Sequence, residues 1–204
     1  MNDDDVKMAF ALLNSVEFQN KIIDSMPDVP DDMMPDFIRE RLEMPELDEW
    51  PDATGEFGRT PTNPILTNRS WGQVSYLSRL IRDDGQRMVF HRAGSVAGAI
   101  DAFELISIDG KNYDVLYIDM YHRYQSKKAP EGYKLLDFAD GITGTSQGIS
   151  NFPHNLVMEL AVAASNLFGA PIVSRVLKEF NAEEAIKTYA EKNNVTDLCA
   201  SSYQ

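Results

Sequence analysis

Two histidines and three neighbouring polar side chains could form a general acid–base site. The set comprises His91, near the end of one predicted strand, and Asp119, Tyr121, His122 and Arg123, at the end of another. A histidine held by an aspartate can accept or donate a proton near neutral pH. If the two strand ends are neighbours, these side chains converge in one pocket, and the protein is an enzyme of unrecognised type.

A second motif gives weaker support for catalysis. Residues 144–148 match the G-x-S-x-G pattern, in which serine hydrolases place their nucleophile on a tight turn between a strand and a helix. That mechanism also needs a histidine base, and only His154 follows Ser146 in the chain. No parallel βαβ pattern precedes the motif. We therefore interpret it as a loop rich in small residues.

Histidine and cysteine are too few for the usual structural zinc site, because the chain has three histidines and one cysteine. A mixed site of His91, His122 and Asp119 is geometrically conceivable. Exposed or hydrogen-bonded histidines at strand ends are the commoner arrangement. We predict no metal site and no cofactor.

The segment 121–133, YHRYQSKKAPEGY, is a basic loop with interleaved aromatic residues. Its candidate anion-binding residues are Arg123, Lys127 and Lys128. Cations beside aromatic rings are typical of single-stranded nucleic-acid sites. The same cations could instead pair with acidic residues of this chain, or the loop could simply be solvated. We favour the internal pairing because the chain as a whole is acidic.

The acidic charge is concentrated in the first quarter of the 204-residue chain. The net charge is −13, and residues 1–57 hold 16 acidic and 4 basic residues, which leaves −1 for residues 58–204. A negative surface repels nucleic acid and anionic lipid, and it attracts basic proteins. The start of the chain is acidic, and no apolar run reaches the length of a membrane span. We expect a cytoplasmic protein that binds neither nucleic acid nor membranes.

The hydrophobic pattern predicts an α+β fold. Helices are expected over 4–26 and 35–44, and a long proline-containing connection over 45–72. Two hairpins that turn at Asp84-Gly85 and Asp109-Gly110 then predict a central four-stranded antiparallel meander, about 73–121, flanked by N-terminal and C-terminal helices. Helices should cover one face of this sheet. We divide the chain into an acidic helical segment, 1–57, and an α+β body, 58–204.

Composition and charge favour a non-enzymatic protein-binding module of the inhibitor, immunity-type or adaptor kind. Its acidic N-terminal quarter would attract a basic protein partner. The candidate contact residues lie in and beside the long connection: Trp50, Phe57 and Trp71 as aromatic anchors, with Asp48, Glu49 and Asp52 around them. The enzyme described above is the alternative. Mimicry of DNA by the acidic segment is a third interpretation, which the prolines of 27–52 disfavour.

Overall fold

The computed structural model describes residues 3–26, 33–96, 98–139, 144–167 and 178–194, which form a mixed α+β fold. Within these ranges there are six helices and six strands. The helices are α1 (Asp3–Asn14), α2 (Val16–Asp24), α3 (Asp36–Glu43), α4 (Arg69–Ser78), α5 (Leu156–Leu167) and α6 (Ala182–Asn193). The strands are β1 (Ile65–Leu66), β2 (Leu80–Arg82), β3 (Met88–Val96), β4 (Ile100–Ser107), β5 (Tyr113–Asp119) and β6 (Tyr133–Leu135).

The central sheet has four strands in the order β1-β5-β4-β3. Strands β3, β4 and β5 are antiparallel neighbours, whereas β1 runs parallel to β5, with Ile65 opposite Ile118. The prediction of a purely antiparallel sheet is therefore wrong. Its fourth strand comes from the long connection before residue 73, where only two residues pair with the sheet, so no periodic pattern marked it.

The first of the two predicted hairpins also differs from the prediction. Residues 73–78 belong to helix α4, and β2 pairs with β6 in a separate two-stranded sheet. The alternation of polar and apolar residues here does not mark a solvent-facing side, because the polar side chains are buried with distant partners. Gln73 donates to the Asp101 carboxylate at 2.7 Å, and Ser75 donates to the Asn14 carbonyl at 2.9 Å.

The second predicted hairpin is present, since β4 and β5 pair in antiparallel register across the Asp109-Gly110 turn. The Asp109 carboxylate accepts the Lys111 N–H at 3.1 Å, and Gly110 has a φ of +79°. A Cβ at Gly110 would lie 2.5 Å from the backbone nitrogen of Ala185. Glycine thus permits both the positive φ of the turn and the close packing of α6 against it.

Hydrophobic clusters pack against both faces of the central sheet. Phe90 and Leu105 point towards a cluster that includes Tyr76 of α4, whereas Val89 and Ile106 point towards one that includes Leu156 of α5. Both faces of the central sheet are therefore covered, whereas the sequence predicts helices on one face. The proposed boundary at residue 57 stays a prediction, and contacts such as that of Ser75 with Asn14 cross it.

Candidate functional site

The three cations of the basic loop 121–133 pair with carboxylates of the acidic segment. We call these ion pairs the clasp: Arg123 with Asp24 at 2.6 Å, Lys127 with Glu46 at 2.7 Å and Lys128 with Glu49 at 2.5 Å. Hydrogen bonds from Lys128 and then from Asn63 lower the pKa of Glu49. This geometry supports internal pairing of the loop. The three carboxylates occupy the cations that an external anion would need.

Backbone contacts hold the same loop in place beneath the clasp. The Asp48 carboxylate accepts the Lys127 N–H at 2.5 Å, and the Asp48 carbonyl accepts the Ser126 hydroxyl at 2.8 Å. On the body side, the Tyr76 hydroxyl donates to the Lys128 carbonyl at 2.5 Å. The loop is therefore fixed between the acidic segment and helix α4.

A buried ionic group lies where β5 ends, and we call Asp119, His122 and Arg41 the Asp119 centre. Oδ2 of Asp119 is 3.1 Å from Nε2 of His122 and 3.3 Å from Nε of Arg41, and the side chains of Asp119 and His122 are completely buried. Neither ring nitrogen of His122 has hydrogen-bond geometry with a described residue, so its approach to Asp119 is an electrostatic contact only. Oδ1 of Asp119 accepts the Tyr121 N–H at 3.0 Å.

Arg41 connects this centre to the acidic segment, because it belongs to α3. Its guanidinium donates to the Gly98 carbonyl at 2.8 Å, in the turn between β3 and β4. The same group lies 5.1 Å from the ring centroid of Phe37 and 5.0 Å from that of Trp50, which are cation–π distances. One side chain thus joins α3, the sheet and the long connection.

A second buried group lies within the sheet, and we call His91, Glu104 and Tyr113 the His91 centre. His91 and Glu104 are opposite each other on β3 and β4, with 2.8 Å between Nε2 and Oε2, and Tyr113 donates to Oε1 of Glu104 at 2.6 Å. Nδ1 of His91 accepts the Ile149 N–H at 3.0 Å, so the proton of the neutral ring is on Nε2. The imidazole stacks on Phe152 with 4.1 Å between ring centroids.

Charge and burial act in opposite directions on Glu104. Burial disfavours its carboxylate, but hydrogen bonds from His91 and Tyr113 outweigh that effect and lower the pKa of Glu104. Burial, reinforced by the bond to Glu104, raises the pKa of Tyr113. Tyr113 therefore keeps its proton and donates it in a hydrogen bond to the ionised carboxylate of Glu104.

The residues of the predicted acid–base site fall into different groups. Given the strand register, His91 and Asp119 are two strands and four residues apart, roughly 16 Å at standard strand dimensions. The structure brings Asp119 and His122 together, leaves His91 with Glu104, and pairs Arg123 with Asp24. Tyr121 contributes its backbone N–H to Asp119.

Sequence reasoning missed Arg41, which lies in a helix remote in sequence from Asp119. The signal that could have drawn attention to it is the sequence DFIRERLE, where two arginines interrupt a helix of the acidic segment. Nothing local distinguishes Arg41, which reaches Asp119, from its neighbour Arg39, which pairs with Asp36 on the surface.

The predicted partner-binding residues are divided between the core, the clasp and the surface. Phe57 is in the core, and Trp50 is half-buried beside Arg41. Asp48 and Glu49 contact the basic loop, whereas Asp52 is exposed. Trp71 is 47% exposed, so it is the aromatic residue of the three that remains available to a partner.

The G-x-S-x-G segment lies along the edge of β3. Gly144 forms a parallel bridge with Phe90, and a Cβ at Gly144 would lie 2.4 Å from the Phe90 carbonyl oxygen. The Arg92 N–H donates to the Gln147 carbonyl at 3.2 Å. These contacts cover an otherwise open sheet edge, and they account for the first glycine of the motif without catalysis.

Two further findings concern the described part of the chain. No group of three or more His, Cys, Asp or Glu residues in it could hold a metal ion. None of its helices combines the length and the apolar character needed to cross a bilayer.

The fold and these contacts define a mixed α+β protein with two buried histidine–carboxylate centres. Comparison of the chain with protein-family models, with curated proteins and with solved structures found no match.

Proposed function

We propose that this chain is a non-enzymatic protein-binding module, of the inhibitor, immunity-type or adaptor kind, whose acidic segment 1–57 attracts a basic protein partner. The observation that carries the proposal is the exposure of apolar side chains in the most acidic part of the molecule. Among the described residues ten large hydrophobic side chains are exposed, and five belong to this segment: Met8, Leu12, Met26, Met33 and Phe37.

Charge remains available to a partner after the clasp has formed. The clasp uses three carboxylates of a segment whose net charge is −12. Glu40 and Glu43 on α3 are exposed and have no ion-pair partner among the described residues. Apolar contacts surrounded by unpaired carboxylates suit a partner that presents an apolar centre within a basic rim.

The enzyme alternative has less geometric support. Its two histidines lie in separate centres, and both are buried. A catalytic group must reach the reacting atoms of a substrate, and completely buried His122 offers no such approach.

The first test is capture of a basic protein from the native host on the immobilised chain, with identification by mass spectrometry. The purified pair is then measured with two matched variants. Met8→Ser/Leu12→Ser removes an exposed i, i+4 apolar pair from α1, and Met158→Ser/Val162→Ser removes the equivalent exposed pair from α5. We expect the α1 variant to weaken binding about tenfold or more, as hot-spot residues do, and the α5 variant to bind like the wild type.

Charge is tested separately through the association rate. Glu40→Gln/Glu43→Gln should slow association at low salt, whereas Glu183→Gln/Glu191→Gln on α6 should not, and added salt should remove the difference. Failure to capture a basic protein, or equal effects of the α1 and α5 variants, would contradict the proposal.

A further inference from the structure

A half-open groove of about 700 Å³ lies between α2, α3 and the start of α4. Its apolar wall includes Ile22 and Ile23 of α2, Leu42 of α3 and Trp71 of α4. This volume is within the range of small-molecule sites, which are mostly apolar with a few polar groups at fixed positions.

One end of the groove carries a cation without a counter-ion. Arg69 is half-buried there, and its side chain has neither a hydrogen-bond nor an ion-pair partner among the described residues, although its backbone N–H donates to the Met120 carbonyl at 2.8 Å. Burial and then the nearby guanidinium of Arg123 lower the pKa of Arg69, although an arginine remains protonated at neutral pH. Arg123 also lines the groove, but its charge is paired with Asp24.

A buried polar side chain at the same end is also incompletely satisfied. Asn68 is fully buried and lines the groove, and its side-chain oxygen has no hydrogen-bond partner within the described ranges. Asn68 stands at the N-cap of α4 but makes no side-chain capping bond. The positive end of the α4 dipole therefore faces the groove without an acidic cap.

The backbone at this point is strained in addition. Arg69 has a φ of 61°, a value that is uncommon for a residue other than glycine or asparagine. Such strain is found where a side chain must be held in one direction. Here the strained residue is the one whose unpaired guanidinium lines the groove.

From these four features we propose that the groove binds a small amphipathic anion, a carboxylate with an aliphatic or aromatic body. Its carboxylate accepts hydrogen bonds from Arg69, in the planar arrangement that guanidinium and carboxylate share. Its body lies against Ile22, Ile23 and Trp71. The groove shares Met26 with the apolar side chains proposed to contact the protein partner, whereas Arg69 and Asn68 do not belong to that set.

The chain offers an internal reporter for this site, because its two tryptophans each give one indole N–H signal in NMR spectra. We choose decanoate as the probe, below its micelle concentration, and decan-1-ol as the uncharged molecule with the same body. We expect decanoate to shift the Trp71 signal, assigned with Trp71→Phe, and to leave the Trp50 signal in place. Decan-1-ol should bind about tenfold more weakly, because it makes no ion pair with Arg69.

The variant that tests the cation is Arg69→Asn, because asparagine tolerates the positive φ and keeps the fold accessible. The matched control is Arg82→Asn, which removes an arginine from β2, away from the groove. We expect Arg69→Asn to weaken decanoate about tenfold and to leave decan-1-ol unchanged, with Arg82→Asn like the wild type. Equal affinity for acid and alcohol, equal effects of the two variants, or shifts that begin only with micelles would overturn the proposal.

Discussion

The His91 centre and the Asp119 centre contain the same kind of buried pair but differ in how completely it is satisfied. In the His91 centre both ring nitrogens, both carboxylate oxygens of Glu104 and the Tyr113 hydroxyl have partners within 3.0 Å. In the Asp119 centre the ring nitrogens of His122 lack hydrogen bonds to described residues, and the charge of Asp119 is balanced by Arg41. The first centre is complete within the body, whereas the second needs a residue from the acidic segment.

This difference explains how a strongly acidic segment stays attached to the body. A buried carboxylate without a counter-charge is costly. Removal of α3 from the sheet would therefore either expose Asp119 to solvent or leave it buried without the charge of Arg41. The body therefore favours the docked position of α3 through one buried ion pair, while the clasp adds contacts at the surface. A segment fixed in this way presents its exposed apolar residues in one orientation, which under the proposed function would reduce the ordering cost of binding a partner.

The largest expected effect is that of Asp119→Ala. It leaves Arg41 and His122 buried without their carboxylate, and loss of one member of a buried ion pair costs about 3–5 kcal/mol. Urea unfolding measures this cost, and hydrogen exchange should show faster exchange in α3. Asp52→Ala, which removes an exposed carboxylate of the same segment, is the control. Equal stability of the two variants would mean that Asp119 does not hold the segment.

A different change disturbs the surroundings of the His91 centre without altering its side chains. Gly144→Ala places a Cβ 2.4 Å from the Phe90 carbonyl oxygen, next to His91, where neither backbone can easily move. We expect a loss of about 2 kcal/mol or more in the free energy of unfolding. Gly148→Ala is the matched control, since its Cβ would lie 3.2 Å from the Arg92 carbonyl oxygen. Exchange in α3 should stay unchanged in both variants, in contrast to Asp119→Ala.

The charge of the His91 centre is tested by Glu104→Gln, which we expect to cost about 1 kcal/mol at neutral pH. Folding lowers the pKa of Glu104 below its ordinary value of 4.5. The carboxylate therefore stabilises the fold above that value, and the contribution is lost as the pH falls through the lower folded-state pKa. Wild type should lose more stability than Glu104→Gln as the pH falls below the ordinary pKa of 4.5. Glu131→Gln, at an exposed site, should follow the wild type; a pH profile of Glu104→Gln identical to both would contradict the assignment.

Local chemistry determined which parts of the fold could be predicted. The Asp109-Gly110 turn depends on residues adjacent in sequence, and it is present. Residues 73–78 were mistaken for a strand because Gln73 and Ser75 are polar but buried, with partners that no local pattern shows. Strand β1 depends on pairing with β5, about fifty residues later.

The candidate site likewise combines contacts between residues near in sequence, which could be predicted, with contacts between distant residues, which could not. The His122–Asp119 contact spans three residues, and the sequence places both residues in the candidate site. The contacts of Arg41 with Asp119 and of Glu104 with His91 instead depend on the tertiary structure. The clasp is a long-range feature that could nevertheless be expected, because charge imbalance between segments is visible without knowledge of the fold. Which lysine meets which glutamate required the structure.

The smallest expected effect is that of Lys128→Met, which removes one ion pair of the clasp together with the ammonium that lies 4.7 Å from the ring centroid of Phe57. Exposed pairs contribute less than about 1 kcal/mol, so global stability should hardly change. Exchange of residues 45–50, which carry Glu49, should nevertheless become faster at low salt and match the wild type at high salt. Lys134→Met removes the exposed pair with Asp83 on the body, and it should leave this exchange unchanged. If both lysine variants behave alike, the Lys128–Glu49 ion pair adds nothing to the docking of the acidic segment.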